Sequence, residues 1–295
     1  MNWDDLRMFL AVARSESLSA AGRRLQRDPA TVGRRVARLE AALGAALFLK
    51  SPQGYALTDA GARLMVRASE AEAALAGAAE DLAGEDSLSG TVRIGAPDGC
   101  ANFVLPQVTA QLRAAHPGLE IQIVALPRVF DLCKREADLA VAVSRPETGR
   151  LVSRRIADYR LHLAAADTYL AAAPPLAVPE DLARHPIVGY VPEMIFDREL
   201  DYLAEAGLGR VDLASNSVSV QGQWLRAGAG VGIVHDFMLP FLPGVRAVLA
   251  DRVTLLRTFW LVRHADDRRT GRLGRLADLL VEGMRAEIRR LCAEA

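Results

Sequence analysis

An acid followed by a proline, Asp28-Pro29, starts a helical pattern that runs to Leu43 and carries two unlike faces. The carboxylate can accept from the first unpaired amides, and proline's fixed φ and missing N–H suit the first turn. Gly44 marks the end, because glycine enters the left-handed closing position without steric cost. Val32, Val36, Leu39 and Leu43 recur at three- and four-residue steps and form one apolar stripe. Thr31, Arg34, Arg35 and Arg38 form a second, cationic stripe. Such a rod must press its valines and leucines into a small core while offering threonine and arginine to a partner.

The preceding residues supply that core. Leu6, Phe9, Leu10 and Ala13 recur at helical spacing. Ser19 is expected to cap a second helix over 20–26, with Ala20, Ala21 and Leu25 inward. A short helix, a tight turn and then a two-faced helix is the arrangement that helix-turn-helix readers present to the major groove. From Arg23 to Arg38 there are six arginines against one acid, Asp28, although the whole chain has no net charge. Charged helix faces often do no more than meet water. The next segment shifts the balance: Phe48 to Leu57 reads as two apolar arms around Pro52-Gln53-Gly54, a wing whose Lys50, Ser51 and Gln53 would meet phosphates.

Beyond the wing, Thr58 to Gly84 reads as one long alanine-rich helix with Thr58 as its cap. Leu64, Ala68, Ala71, Leu75, Ala78 and Leu82 form a seam with small residues, the pattern of a helix paired with a second copy. The rival reading packs that helix on its own domain. Residues 84–90 are polar and glycine-bounded. From Thr91 onward, β-branched runs alternate with helical stretches, so the fold class is α/β with mostly parallel strands. Strands are expected at 91–96, 120–126, 138–143, 161–165, 187–191, 231–235 and 253–262.

The start of the chain lacks the apolar run of a secretory leader, and no run of 18 apolar residues could span a membrane. Cys100, Cys133 and Cys292 are odd in number and far apart, which fits a reducing cytoplasm. No cofactor, metal site or enzymatic activity is expected. Gly228-Ala229-Gly230-Val231-Gly232 imitates a dinucleotide loop, but it leads from a helix into a strand, the reverse of the required order. Cys100, His235 and Asp236 have no spacing that argues for a nucleophile and base.

Across Met8 to Gly61 the chain resembles the LysR-type transcriptional regulators. The likeness runs through Met8-Phe9-Leu10-Ala11-Val12-Ala13, Ser17-Leu18-Ser19-Ala20-Ala21-Gly22-Arg23-Arg24-Leu25 and Pro29-Ala30-Thr31-Val32-Gly33-Arg34-Arg35-Val36. It continues in Leu39 to Gly44, Leu47-Phe48 and Gly54 to Gly61. The resemblance implies a winged helix-turn-helix domain over 1–58 and a dimerisation helix over 59–84. A hinge over 85–90 follows, then a two-lobed effector domain over 91–295 like the periplasmic binding proteins. Lobe I would take about 91–160 and 262–295, lobe II about 161–261, joined by strands near 159–163 and 259–263. The implied partners are double-stranded DNA, a small-molecule effector, a second copy as dimer or tetramer, and RNA polymerase if the protein activates.

The candidate DNA-binding set is Ser19, Arg23, Arg24, Asp28, Pro29, Ala30, Thr31, Gly33, Arg34, Arg35, Arg38, Lys50, Ser51 and Gln53. Thr31, Arg34 and Arg35 are expected at base edges. Gly33 departs from the serine common in the family and weakens the helix by roughly 1 kcal/mol relative to alanine. Effector candidates are Asp98, Gly99, Cys100, Ala101, Asn102, Arg145, Asn216, Ser217, Val218 and His235, which end strands or start helices where α/β proteins hold ligands. Asn216 and Ser217 have a second reading as caps of a helix from Val218, and Arg145 has one as a solvated loop residue. A solute-binding protein alone, or an enzyme with an appended DNA module, are the rival readings. A guanidinium bidentate to guanine is worth about 1–3 kcal/mol. Arg34→Ala is therefore expected to abolish sequence-specific retardation of operator DNA in a chain that stays folded; unchanged binding removes Arg34 from the reading group.

Overall fold

The structure, a computed structural model, describes residues 2–51, 54–82, 88–125, 137–146, 151–265 and 271–294. It divides near residue 85 into two compact units.

The first unit begins with α1 (Trp3–Ser15), α2 (Leu18–Leu25) and α3 (Pro29–Leu43). Glu16 enters the left-handed region at φ 52° and ends α1, which leaves Ser17 extended, as a helix cap requires. Ser17 rather than Ser19 is therefore the cap of α2; its Oγ accepts from the Ala20 amide at 3.4 Å, and Ser19 is exposed. Asp28 caps α3 as expected, accepting from the amides of Ala30 (2.8 Å) and Thr31 (3.3 Å). Val32, Val36 and Leu39 are buried, but Leu43 is 41% exposed because the last turn of α3 runs past the core.

Phe9, at the centre of that core, meets Phe48 with ring centroids 5.3 Å apart. Phe48 opens β1 (Phe48–Ser51), which pairs antiparallel with β2 (Gly54–Leu57) to make the wing. The Glu40 carboxylate accepts from the amides of Leu47 and Phe48, tying α3 to the wing. Tyr55 donates its amide to the Glu16 carbonyl at 2.9 Å, which ties the wing to the α1–α2 turn. Gly54 permits this approach, since a Cβ there would lie 2.5 Å from the same oxygen. Thr58 caps α4 (Asp59–Leu82) by accepting from the Gly61 amide.

The proximal part of α4 packs on its own domain. Ala68 is in the core, Leu64 and Met65 lean on it, and the Arg14 guanidinium meets the Glu72 carboxylate at 2.6 Å. The predicted seam therefore has two parts: Leu64 and Ala68 are covered within the chain, while Ala71 and Leu75 are exposed. Gly84 and the side chains of Ala78 and Leu82 lie outside the described part.

The second unit is built on a nine-stranded mixed sheet among the described residues. On one side are β3 (Ser89–Ala96), β4 (Gly118–Ala125) and β5 (Leu139–Ala142), with β4 and β5 parallel to β3. Two long strands, β6 (Leu151–Ala166) and β11 (Thr254–His264), run antiparallel to each other and cross to the far side. There β7 (Ile187–Gly189), β8 (Leu213–Ala214) and β9 (Val231–His235) are parallel neighbours, and β10 (Val245–Ala247) pairs with β6. Parallel pairing thus holds within each lobe, and the crossing strands make the antiparallel joints. β6 begins ten residues before the expected strand because its polar first half, with Arg154, Arg155 and Asp158, lacks an apolar signal and is held by β11. β3 likewise starts at Ser89, inside the expected hinge, because Ser89 and Gly90 pair with Gly118 and Leu119.

Helices cover the sheet. α5 (Asp98–Phe103) starts directly after Pro97, and α6 (Leu105–Ala115) follows it. α7 (Asp167–Ala172), α8 (Tyr202–Glu205) and α9 (Val218–Arg226) belong to the second lobe. The terminal α10 (Gly271–Ala293) buries Leu276, Leu280, Met284 and Leu291. The Gly228–Gly232 run leads from α9 into β9, and a Cβ on Gly230 would stand 2.2 Å from the Pro186 carbonyl oxygen. Its glycines serve backbone packing. No helix among the described residues is long and apolar enough to cross a membrane.

Candidate functional site

Asp5 on α1 faces the cationic stripe of α3. Its side chain is only 5% exposed, and a carboxylate so desolvated needs charged partners. Arg38 supplies two hydrogen bonds, Nε to Oδ2 at 2.8 Å and Nη2 to Oδ1 at 2.5 Å, and Arg35 adds one at 3.2 Å. The Arg38 hydrogen bonds hold the Asp5 carboxyl below the usual carboxylate range. The four-member polar stripe is thus divided. Arg35 and Arg38 bend back onto their own domain, while the exposed Arg34 donates to Thr31 Oγ1 at 3.1 Å.

Thr31 and Arg34 are within the first two turns of α3, beside the exposed Asp28, Pro29 and Ala30. Arg23 and Arg24, on the last turn of α2, are exposed, as are Lys50 and Ser51 on the wing. Gln53 lies outside the described residues. Gly33 faces α2, where an added Cβ would meet Leu18 Cδ1 at 3.3 Å. Its small size thus matters to the packing of the two helices. The sequence reading missed Asp5 because the partnership spans 30 residues and three elements.

In the second unit several of the candidate residues meet where α5 packs against the start of α9, and none of the ten lines the cavity described below. Asp98 opens α5 on one side. Its Oδ2 accepts from Ser217 Oγ (3.0 Å), the Ser219 amide (3.2 Å) and Ser219 Oγ (3.4 Å), all at the start of α9 on the other side. Its Oδ1 accepts from Asn102 at 2.9 Å. Ser217 also caps α9, as its second reading expected. Gly99 brings the lobes into contact; a Cβ there would stand 3.2 Å from Val218. Ser144 Oγ donates to Asp197 Oδ2 at 2.5 Å, a second bond across the same boundary. Arg145 is exposed beside it, Ala101 is buried in α5, and Asn216 is half-buried ahead of α9.

Behind this contact the chemistry is aromatic and dry. His235 is buried, stacked on Phe237, and bonded to the Tyr202 hydroxyl at 3.3 Å. Burial holds its imidazole near pKa 3, so it is neutral, and burial pushes the Cys100 thiol far up. Both groups are therefore uncharged near neutral pH. A cavity of about 450 Å³ opens in the second lobe, lined among others by Tyr190, Pro192, Ile195, Asp201, Tyr202 and Gln221. Arg257 stands nearby, 5.6 Å from the Tyr202 ring and paired with Glu199 and Glu205. Of these groups the sequence singled out only Cys100 and His235. Among the described residues no cluster of His, Cys, Asp and Glu could hold a metal ion.

The Asp5 pair gives a signed expectation. A carboxyl held low in the folded state stabilises above its ordinary range, and that stability is lost as pH falls through the folded value. Asp5→Asn is expected to cost about 1–2 kcal/mol at neutral pH, since Arg38 is partly in water, and to flatten the acid side of the stability profile. Equal denaturation midpoints for both proteins at pH 7 contradict the pairing.

Comparison with known proteins agrees with both halves. Residues 3–62 match the model for the bacterial regulatory helix-turn-helix protein, lysR family, and residues 85–285 match the LysR substrate binding domain. The HTH-type transcriptional regulator PtxR of Pseudomonas aeruginosa is 29% identical over 88% of this chain and 83% of its own length. Among solved structures, a variant of full-length OxyR from Pseudomonas aeruginosa has the same fold, with TM-score 0.75 at 18% identity over 97% of this chain and 95% of that one. Full-length LysG from Corynebacterium glutamicum, solved with bound effector Arg, matches at TM-score 0.64 and 20% identity over 96% and 98%. With one family model covering its first 60 or so residues and the other two thirds of its length, this chain belongs to the LysR family of transcriptional regulators, with a helix-turn-helix DNA-binding domain and an effector-binding domain.

Proposed function

We propose that the chain reads operator DNA through the first turns of α3 and that a small molecule in the second lobe tunes this binding. The observation that carries the reading is the Asp28-capped start of α3. It offers Thr31 and Arg34 outward while Asp5 anchors Arg35 and Arg38. Thr31 and Arg34 meet base edges. Arg35 and Arg38 fix the angle of the helix and lend it charge. Arg23, Arg24, Lys50, Ser51 and Gln53 meet phosphates, where contacts set register rather than sequence. Ser19 and Ala30 border the same surface.

One such domain reaches few bases, so two copies on paired half-sites are the usual route to affinity. The exposed Ala71 and Leu75 of α4 support a homodimer through residues 59–84, and pairs of dimers would extend it to a tetramer. With Ser89 and Gly90 taken into β3, residues 85–88 are the hinge to the effector domain. The cavity lined by Tyr190, Tyr202 and Gln221 is of a size that holds small ligands. A ligand there that favours one lobe arrangement by about 1–3 kcal/mol is enough to alter operator affinity. The protein acts in the cytoplasm, where the chromosome is, and touches RNA polymerase if it activates.

Purified protein mixed with sheared genomic DNA from its source tests the reading. Recovered fragments are expected to share a dyad-symmetric site with half-sites one turn, about 10 bp, or a multiple apart. Affinity should fall linearly with salt on logarithmic axes. Recovery that follows only fragment abundance contradicts sequence-specific reading. A screen of small acids, amines and aromatics that moves neither melting temperature nor operator affinity contradicts the effector half.

A further inference from the structure

A helix N-terminus facing a cleft presents unpaired amides that ordinarily favour an anion. In this chain the position is taken by its own carboxylate. Asp98 Oδ2 collects two serine hydroxyls and one amide from the start of α9, and it comes from the opposite lobe. Asn102 donates to the other oxygen, so both carboxylate oxygens have partners. The bond from Ser144 to Asp197 repeats the device with the lobes exchanged, since here the carboxylate belongs to the second lobe. Asp197 also accepts from the Glu199 amide at 2.9 Å. Gly99 lets Val218 pack close to the start of α5, where an added Cβ would meet it at 3.2 Å, and among the described residues the buried Tyr159 hydroxyl has no hydrogen-bond partner.

We propose that Asp98 is an internal counterpart of an acidic ligand. It seats its carboxylate at the α9 N-terminus, latches the lobes together, and makes this position of the cleft refuse free carboxylates. The inference rests on reading this cleft as the effector site. It assigns Asp98 a specificity-setting and lobe-positioning part. An effector that acts here must approach from the Tyr190–Tyr202 side or displace the Asp98 bonds.

The test uses the full chain, its Asp98→Ala and Asp98→Asn variants, and sodium acetate against sodium chloride at equal ionic strength. Asp98→Ala leaves a carboxylate-sized gap. It is expected to melt about 2–4 °C or more below the parent and to regain most of that loss in acetate. The parent and Asp98→Asn, whose gap stays filled, should not distinguish the two salts. An Asp98→Ala protein that melts like the parent, or an acetate effect equal in all three, overturns the proposal. If Asp98→Ala does not fold, hydrogen exchange in Asp98→Asn decides. Faster exchange at the Ser219 amide with protection kept in β6 and β11 supports the latch, and unchanged exchange at Ser219 overturns it. Recovery of genomic sites by the same proteins separates the two readings. Intact recovery with no acetate response removes the latch alone. Acetate rescue without specific recovery upholds the latch and removes the DNA reading.

Discussion

A carboxylate taken out of water must be paired, and Asp5 meets that requirement by drawing two arginines from the neighbouring helix. The consequence reaches beyond one ion pair. Arg35 and Arg38 lock α3 against α1 at the same time as Val32, Val36 and Leu39 lock it into the core. Apolar burial fixes the depth of α3, and the paired charges fix its rotation. What remains outward is a short surface at the α3 start, framed by the wing and the last turn of α2.

The same logic recurs in the effector domain, where carboxylates join elements that the sheet brings near each other. Asp98 bonds the start of α9, and Asp197 receives Ser144. Both bonds cross between lobes whose only continuous covalent and ladder connection among the described strands is the β6–β11 pair. The same boundary carries apolar contact as well, since a Cβ on Gly99 would meet Val218 at 3.2 Å and buried side chains of both lobes form one cluster.

Local signals were legible in the sequence. Asp28-Pro29 and Gly44 bounded α3 correctly, Thr58 capped α4, and the order of the Gly228–Gly232 run excluded a dinucleotide loop. Tertiary partnerships were not. Nothing in the α3 pattern separates Arg34 from Arg35 and Arg38, because the distinction is made by Asp5 on another helix. Ser217 was readable as a cap, but its bond to Asp98 joins residues 119 apart. The seam of α4 was visible as a stripe, yet only packing shows that Leu64 and Ala68 belong to their own domain's core. Tyr202 and Asp197 sit in segments without a pattern that distinguishes a pocket wall from a loop, and the strand pattern around Arg257 does not show which carboxylates it meets.

The most direct measurement is a crystal structure of the dimer on an operator duplex. The account predicts the start of α3 in the major groove, Arg34 and Thr31 within hydrogen-bond reach of base edges, and Arg38 still on Asp5. A complex in which α3 stands outside the groove, or in which Arg38 has left Asp5 to read bases while Arg34 faces solvent, would contradict it.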